Sequence, residues 1–304
     1  MAGDAARIRR QNKLGKGLFL LFFIGPALLI YAVYNIYPIF ATFYYSLFDW
    51  TGIQAEKTFL GLENYANLMK DRVFFRSLGN NVLLVFASVF TQIPLGLALA
   101  LLLQSKIKGM RFFRTVYFLP FLMSTVAIAI LWMFIYNPTF GVLNGLLSDL
   151  GLQSLQRSWL GEKSTAMGAV IATICWQFVP FYMILLRAGL TGIPEELLEA
   201  ARIDGCTPWR TFTRITLPLL MPTIITSATL STIGSLKYFD LIFVMTEGGP
   251  DSATELMATY MYKQAFRFFS MGYASAISSC MFILAFIAAA AILSLDRLRS
   301  RGGY

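Results

Sequence analysis

Five polar or aromatic residues lie inside otherwise apolar stretches of this sequence, at spacings that place them on helix faces. Gln177 and Phe181 are four residues apart in one stretch, and Ser231, Ser235 and Tyr238 follow each other at steps of four and three in another. Aromatic rings stack on the apolar CH faces of a sugar, while hydroxyl and amide groups exchange hydrogen bonds with its hydroxyls. These residues predict noncovalent binding of a polar solute such as a sugar. Packing of small polar residues between helices would give the same pattern, so both interpretations stay open for each residue.

One pair of opposite charges lies within the second of these stretches. Lys237 and Asp240 are three residues apart, a spacing that brings side chains together on a continuous helix. Charged groups inside a membrane usually mark function. The helical angle, however, places this pair away from the helix face that carries Ser231, Ser235 and Tyr238, which we call the serine stripe. We therefore predict a structural ion pair near the outer end of that stretch, with a place in the solute path as the open alternative.

The residue types that covalent catalysis needs are missing or isolated. The sequence contains no histidine, so the commonest general base and metal ligand is absent. Its three cysteines, at 175, 206 and 280, are far apart in sequence. The string GEKS at 161–164 lacks the spacing of a phosphate-binding P-loop. We expect neither an enzyme active site nor a metal site, and no cofactor bound by this chain.

The composition is that of a membrane protein. Of the 304 residues, 57% are hydrophobic and 13% charged, whereas soluble domains carry roughly 25% charged residues. The mean hydropathy is +0.63. The net charge of +9 could suggest nucleic acid, but the cations lie at the borders of apolar runs rather than on one solvated face. We therefore expect contact with a lipid bilayer and no binding of nucleic acid.

Six stretches are long and apolar enough to cross a bilayer as helices, since about 20 residues span its ~30 Å core. They are residues 17–45, 79–104, 114–136, 165–187, 217–245 and 272–295. The first is too long for the apolar core of a signal peptide, and we predict an uncleaved span. Prolines lie within or near several of these stretches, which suits a bundle with neighbouring helices better than a simple anchor.

The distribution of Lys and Arg predicts the orientation. Sixteen of them lie in the N-terminal tail, the loop after span two, the polar insert at 187–214 and the C-terminal tail, and eight lie in the opposite loops. Because cytoplasmic loops carry the excess of positive charge, both termini and the insert are expected in the cytoplasm.

The polar insert carries start and stop signals for two short helices. Pro194 suits the first helical position, and Gly205 can take the left-handed conformation that ends a helix. Thr207 and Pro208 then form a second helix start. The first helix is expected to turn an apolar face inward, formed by Leu197, Leu198, Ala201 and Ile203. It is acidic, unlike a basic helix lying on headgroups, so a protein groove is the preferred receptor.

This insert resembles the EAA loop of ABC importer membrane subunits. The match covers Glu199, Ala200, Ala201, Gly205, Ile215, Leu217 and Pro218. Three further strings resemble carbohydrate importer permeases of the maltose type: GMRFFRTVYFLP at 109–120, KYFDLIFVMTEGGP at 237–250 and MGYASA at 271–276. The resemblance extends over almost the whole chain.

The resemblance implies an all-α membrane protein with six transmembrane helices, the type I ABC importer permease fold and a cytoplasmic coupling helix. A six-helix domain at 17–295, with its EAA loop at 191–218, would be flanked by cytoplasmic tails at 1–16 and 296–304. The matched EAA residues would couple the chain to ATPase subunits. The chain would reside in a bacterial or archaeal cytoplasmic membrane.

The same resemblance implies one half of an ATP-driven import pathway, with oligosaccharide as the expected cargo. The implied partners are a second EAA-type permease, two cytoplasmic ATPases that bind ATP and Mg, and an extracytoplasmic solute-binding protein. An importer of glycerol-3-phosphate or another polar solute is the alternative within this class. An ion-coupled secondary transporter is the alternative outside it, but it predicts inverted repeats and titratable groups along the path, and neither is found.

Overall fold

The computed structural model describes residue 19 and residues 22–103 and 110–301. The predicted N-terminal tail at 1–16 lies outside the described residues, as do residues 302–304 of the C-terminal tail. Five described helices are long and apolar enough to cross a membrane, and a bent helix pair would make a sixth span.

The six predicted spans can be assigned to helices in their order along the chain. Span one is α1 (Phe22–Tyr45), span two is α3 (Arg72–Leu102), span four is α7 (Ala166–Thr191) and span six lies in α13 (Met271–Arg301). Span three consists of α4 (Met110–Leu122) and α5 (Thr125–Ile135). Span five consists of α9 (Pro208–Thr211), α10 (Leu217–Leu236) and α11 (Asp240–Met245). The remaining elements are β1 (Phe48–Asp49), β2 (Thr58–Phe59), α2 (Glu63–Leu68), α6 (Val142–Asp149), α8 (Glu195–Ile203) and α12 (Met257–Phe266).

Each of two prolines, Pro38 inside α1 and Pro218 in the first turn of α10, follows a π-helical turn. Ala32–Ile36 widens α1 just before Pro38, and Phe212–Thr216 joins α9 to α10 just before Pro218. At the second turn the Leu217 N–H bonds to Phe212 O, five residues back. Proline has no N–H to donate, so the regular backbone hydrogen-bond pattern is interrupted at each proline. The π-helical turn changes the spacing of the hydrogen bonds in the residues just before it.

Span two begins seven residues before its predicted start. Asp71 caps the helix by accepting hydrogen bonds from the N–H groups of Val73 at 2.8 Å and Phe74 at 3.3 Å. Such a cap satisfies donors that have no partner within the helix. The prediction followed apolar character alone, and the first two turns of this helix include Arg72, Arg76 and Ser77.

Span three is not the single straight helix that was predicted. Its two halves meet at Met123 and Ser124 and are bent by 105°. Pro120 lies in the last turn of α4, where it removes one backbone donor. The bend carries the end of α4 across the face of α7.

Span five is also interrupted, between α10 and α11. The carbonyl groups of Ser235 and Leu236 both accept hydrogen bonds from Asn81 Nδ2 on α3, each at 3.0 Å. Asn81 Oδ1 accepts from the Met257 N–H at 2.9 Å. The fully buried Asn81 thus hydrogen-bonds to backbone groups at the end of α10 and at the start of α12.

The interruption also removes the predicted ion pair. Lys237 ends α10 and Asp240 begins α11, so the two do not share one continuous helix. Both are exposed, and they form no salt bridge among the described residues. The prediction assumed unbroken helical geometry, and it was wrong.

Spans two and four form the centre of the bundle. At Gly96 their backbones approach so closely that a Cβ atom would lie 2.9 Å from the Met183 nitrogen. The apolar core on this contact includes Leu84, Val170, Ile174 and Met183, all at most 2% exposed. Glycine at 96 therefore permits the close approach of these two helices.

Candidate functional site

A cavity of about 250 Å³ lies between spans two, three, four and five. Its twelve lining residues come from α3, α4, α7, α10 and the segment after α10. They are Ser88, Gln92, Phe121, Ile174, Phe178, Phe181, Tyr182, Leu230, Ser231, Gly234, Ser235 and Tyr238. None of these residues is Asp, Glu, Lys or Arg, so the described wall carries no formal charge at neutral pH.

Four of the five residues predicted for a solute path line this cavity. Phe181, Ser231, Ser235 and Tyr238 meet there from spans four and five. Gln177 does not line the cavity. Its Oε1 accepts a hydrogen bond from the Tyr238 hydroxyl at 3.4 Å, and its Nε2 donates to Thr125 Oγ1 at 3.3 Å.

One side of the cavity is aromatic. Phe121 stacks on Phe181 with ring centroids 5.2 Å apart, and Phe178 meets Tyr238 edge to face at 6.0 Å. Phe121 belongs to the last turn of α4, just before the bend of span three. The result is a surface of rings able to stack on an apolar face of a ligand.

Polar groups from span two complete the wall, and sequence reasoning did not find them. Gln92 and Ser88 lie one turn apart on α3 and are 3% and 1% exposed. Gln92 Nε2 donates to Ser88 Oγ at 3.2 Å and makes a long contact of 3.8 Å with Cys175 Sγ. Their i,i+4 spacing within an apolar stretch was the available signal.

The polar insert forms the predicted helix–glycine–helix elbow. Gly205 has a φ of +71° and follows α8. Its N–H bonds to Arg202 O at 3.1 Å, and the next N–H, from Cys206, bonds to Ala201 O at 2.9 Å. This pair of bonds is a Schellman motif, which requires a left-handed residue at the glycine position. Thr207 accepts from the Arg210 N–H as an N-cap, as predicted.

Two details of the elbow differ from the prediction. Pro194 is the N-cap of α8 rather than its first helical residue. Of the four apolar residues expected on the inner face, Ala201 is buried and Leu198 half-buried, while Leu197 is exposed and Ile203 is 86% exposed. Helix α8 has nine residues and rests on the bundle along one narrow stripe, which leaves Ile203 on the opposite side.

The EAA-matching residues divide between the two faces of this elbow. Glu199, Ala200, Gly205 and Pro218 are exposed, Ile215 and Leu217 are half-buried, and Ala201 is buried. With Trp209 at 72% exposed, the outward side of the elbow joins an acidic group to large apolar ones. A solvent-exposed surface that combines large apolar side chains with an acidic one is typical of a protein interaction site.

Comparison with known proteins decides the family. The family model described as binding-protein-dependent transport system inner membrane component matches residues 92–301. The chain belongs to this family. Among relatives, the probable ABC transporter permease protein YurN of Bacillus subtilis is 42% identical over 276 residues, which cover 90% of this chain and 93% of that protein. The trehalose/maltose transport system permease protein MalF of Thermococcus litoralis is 36% identical over 293 residues, covering 95% and 96%.

A solved structure supports the fold of this inner membrane component. A chain of a bacterial ABC transporter involved in the import of the acidic polysaccharide alginate superposes with a TM-score of 0.83 at 23% identity, covering 95% of this chain and 98% of that one. The predicted type I ABC importer permease fold is confirmed. Family membership makes the chain a transport permease of the inner membrane that works with a binding protein, and it contradicts the ion-coupled secondary transporter.

Proposed function

We propose that this permease carries an uncharged oligosaccharide or sugar through the cavity between spans two to five. The observation that carries the proposal is the lining: aromatic rings on one side, hydroxyl and amide groups on the other, and no formal charge. A sugar ring presents apolar CH faces and polar hydroxyls, so it complements both sides. The trehalose/maltose relative supports the same substrate class.

The cavity volume indicates what this chain contributes alone. At about 250 Å³ it falls below the ~300–1,000 Å³ usual for small-molecule sites. The cavity therefore suits one part of an oligosaccharide, and a second EAA-type permease would supply the opposing half of the pathway. We expect this second permease to be a different chain, so that the two form a heterodimer.

A phosphorylated solute such as glycerol-3-phosphate is the less favoured cargo. Phosphate is normally bound by cations, by backbone N–H groups or by helix N-termini. Lys237, the cation nearest in sequence to the serine stripe, is exposed and does not line the cavity. An anionic group would thus enter an apolar wall without a counter-charge, which is costly.

The elbow is the proposed contact with one of the two cytoplasmic ATPases, which would bind ATP and Mg. Exposed Glu199, Ile203 and Trp209 offer charge and apolar area for a protein groove. This assignment places the elbow and both termini in the cytoplasm, in agreement with the distribution of cations. A solute-binding protein would then deliver cargo to the opposite face.

The coupling role can be tested by reversing one charge on the elbow. We expect Glu199→Lys to insert normally but to lose ATPase co-purification and binding-protein-stimulated ATP hydrolysis. Glu196→Lys is the matched control, because Glu196 is also exposed on α8 but lies one turn earlier. Equal behaviour of the two variants would contradict a specific contact at Glu199.

The cargo is tested by uptake into proteoliposomes that contain the complete transporter and its binding protein. Radiolabelled maltose, trehalose and glycerol-3-phosphate are offered with and without ATP on the ATPase side. We expect ATP-dependent uptake of at least one uncharged sugar and none of the phosphate ester. Uptake of glycerol-3-phosphate alone would overturn the assignment of an uncharged cargo.

A further inference from the structure

Two polar atoms of residues that line the cavity accept no hydrogen bond from the described residues, and the first of them is itself buried. Ser231 Oγ, on α10, is one of them, although the Tyr182 hydroxyl interacts with it weakly. Gln92 Oε1, on α3, is the other: the amide nitrogen of Gln92 is engaged by Ser88 and Cys175, and no described donor bonds to its oxygen. Both side chains are only 3% exposed, and both line the same cavity.

A buried polar atom without a partner is costly in an apolar setting, and a ligand that hydrogen-bonds to it removes that cost. The two atoms here differ in kind. A carboxamide oxygen only accepts a hydrogen bond, whereas a serine hydroxyl both donates and accepts. A sugar hydroxyl can donate to Gln92 Oε1, and a neighbouring hydroxyl of the same ring can exchange a bond with Ser231 Oγ. An ammonium group could serve the acceptor, but the uncharged cavity offers it no counter-ion.

We propose that span two forms part of the substrate site, with Gln92 as a direct sugar ligand and Ser88 as the residue that orients its amide. This proposal rests on the proposed function and adds specificity-determining residues on a third helix, facing the serine stripe of span five. Ser88 Oγ accepts a hydrogen bond from Gln92 Nε2 at 3.2 Å, which engages the amide nitrogen and leaves the amide oxygen to accept from a ligand.

The neighbouring Thr91 provides a matched control on the same helix. It lines a different, apolar groove of about 580 Å³ between α3, α4 and α7, together with Leu95, Tyr117 and Trp176. Gln92 and Cys175 lie between the two spaces, because Cys175 contacts Gln92 and also lines the apolar groove. A substitution at Thr91 therefore disturbs α3 without entering the sugar cavity.

Transport and ATP hydrolysis by the complete reconstituted transporter separate a ligand from a packing residue. Gln92→Leu should lower the amount of radiolabelled maltose or trehalose transported per ATP hydrolysed by about three- to tenfold, the effect of one lost hydrogen bond. Binding-protein-stimulated ATP hydrolysis should stay near the wild-type rate. Thr91→Val should leave both quantities unchanged. Equal loss of transport and ATP hydrolysis in Gln92→Leu would overturn the proposal, because it would indicate a structural role.

Thiol labelling distinguishes failure of this proposal from failure of the proposed function. Gln92→Cys, Ser231→Cys and Thr91→Cys are compared with a hydrophilic thiol reagent, each in a background in which Cys175, Cys206 and Cys280 are replaced by Ala. We expect maltose or trehalose to slow labelling of the first two and not of the third. Protection at Ser231→Cys without protection at Gln92→Cys would overturn the role of span two and leave the sugar path intact. No protection at either position would overturn both.

Discussion

Tyr238 donates a hydrogen bond from its hydroxyl to Gln177 Oε1 at 3.4 Å. Through Gln177 on span four, the interruption of span five is thereby linked to the bend of span three. Tyr238 lies in the break between α10 and α11. Gln177 also donates to Thr125 Oγ1 at 3.3 Å, and Thr125 begins α5 just after the 105° bend of span three. The glutamine, 3% exposed, thereby positions the Tyr238 ring against the aromatic wall.

This arrangement predicts different effects for two substitutions at Tyr238. Tyr238→Ala removes a ring from the cavity wall and should lower the rate of ATP-driven sugar uptake by about tenfold. Tyr238→Phe keeps the ring and loses only a long hydrogen bond, so a change of about twofold is expected. Uptake by proteoliposomes, normalised to assembled transporter, provides the measurement. Equal uptake rates for Tyr238→Ala and wild type would show that Tyr238 contributes to helix packing and not to the solute path.

A second prediction concerns the left-handed turn of the elbow. Gly205→Ala puts a Cβ on a residue with a φ of +71°, which strains the turn by about 1 kcal/mol. We expect weaker ATPase co-purification and weaker stimulation of ATP hydrolysis. Gly205→Asn should retain most of both, because Asn tolerates this conformation better than Ala. Gly145→Ala on α6 is the control, since no atom lies within 4 Å of its added Cβ. If Gly205→Ala couples normally, the shape of this turn does not determine coupling.

The elbow was predictable because its signals are local. A glycine followed by a threonine–proline pair defines the turn through φ preferences and capping, and neither depends on distant contacts. The six spans were predictable for a similar reason, since twenty apolar residues can be counted.

The interruptions of spans three and five could not be read from such signals. The residues around Leu236 give no sign that its carbonyl group accepts a hydrogen bond from Asn81, which lies more than 150 residues earlier in the sequence. The predicted Lys237–Asp240 pair failed for this reason, because it depended on a helix that ends at the lysine. Gln92 was missed because hydrophobic periodicity shows only which face of one helix is apolar. The position of Gln92 in the cavity wall depends on how four spans pack together.

A third prediction concerns the carboxylate of Asp71, outside the spans, which ties α3 to α12 and α13. Its Oδ2 accepts hydrogen bonds from the hydroxyls of Tyr260 and of Tyr273, the latter at 2.7 Å. Burial alone would raise the pKa of Asp71, but these bonds and those from Val73 and Phe74 hold the pKa below its usual value. The resulting stabilisation is complete above the unfolded pKa of about 3.9 and is lost as the pH falls through the lower folded pKa.

Asp71→Asn keeps an N-cap acceptor and removes the charge that the two phenols stabilise. We expect the free energy of unfolding to fall by about 1–2 kcal/mol at pH 7, and the difference from wild type to shrink below about pH 4. Unfolding midpoints in detergent across this pH range measure the effect. A difference that stays constant down to pH 3 would show that the charge of Asp71 is not its source.

A fourth prediction compares two ion pairs that differ in burial. Glu255 and Lys263 form a salt bridge with side chains 3% and 17% exposed, while Lys163 and Asp251 pair at 2.5 Å with both side chains mostly in solvent. Lys263→Met leaves a buried carboxylate without its partner and should cost about 3–5 kcal/mol of unfolding free energy. Lys163→Met should change stability little, because solvent screens the exposed pair.

The double variant Glu255→Gln/Lys263→Met checks the cause. It removes the unpaired charge, so it should recover much of the stability that Lys263→Met loses. The same detergent unfolding measurement applies to all three variants. A double variant no more stable than Lys263→Met would place the effect in the packing of the lysine side chain rather than in the buried charge.

The most direct test of the account fills the cavity and measures transport. Gly234 lines the cavity, and no atom lies within 4 Å of an added Cβ, so Gly234→Trp places an indole in the proposed path. Gly79→Trp on α3 is the control, because its added Cβ also meets open space but lies outside this cavity. In proteoliposomes with the complete transporter, we predict that Gly234→Trp abolishes ATP-driven uptake of radiolabelled sugar while the complex still assembles, and that Gly79→Trp transports normally. Undiminished uptake by Gly234→Trp would contradict a substrate path through this cavity.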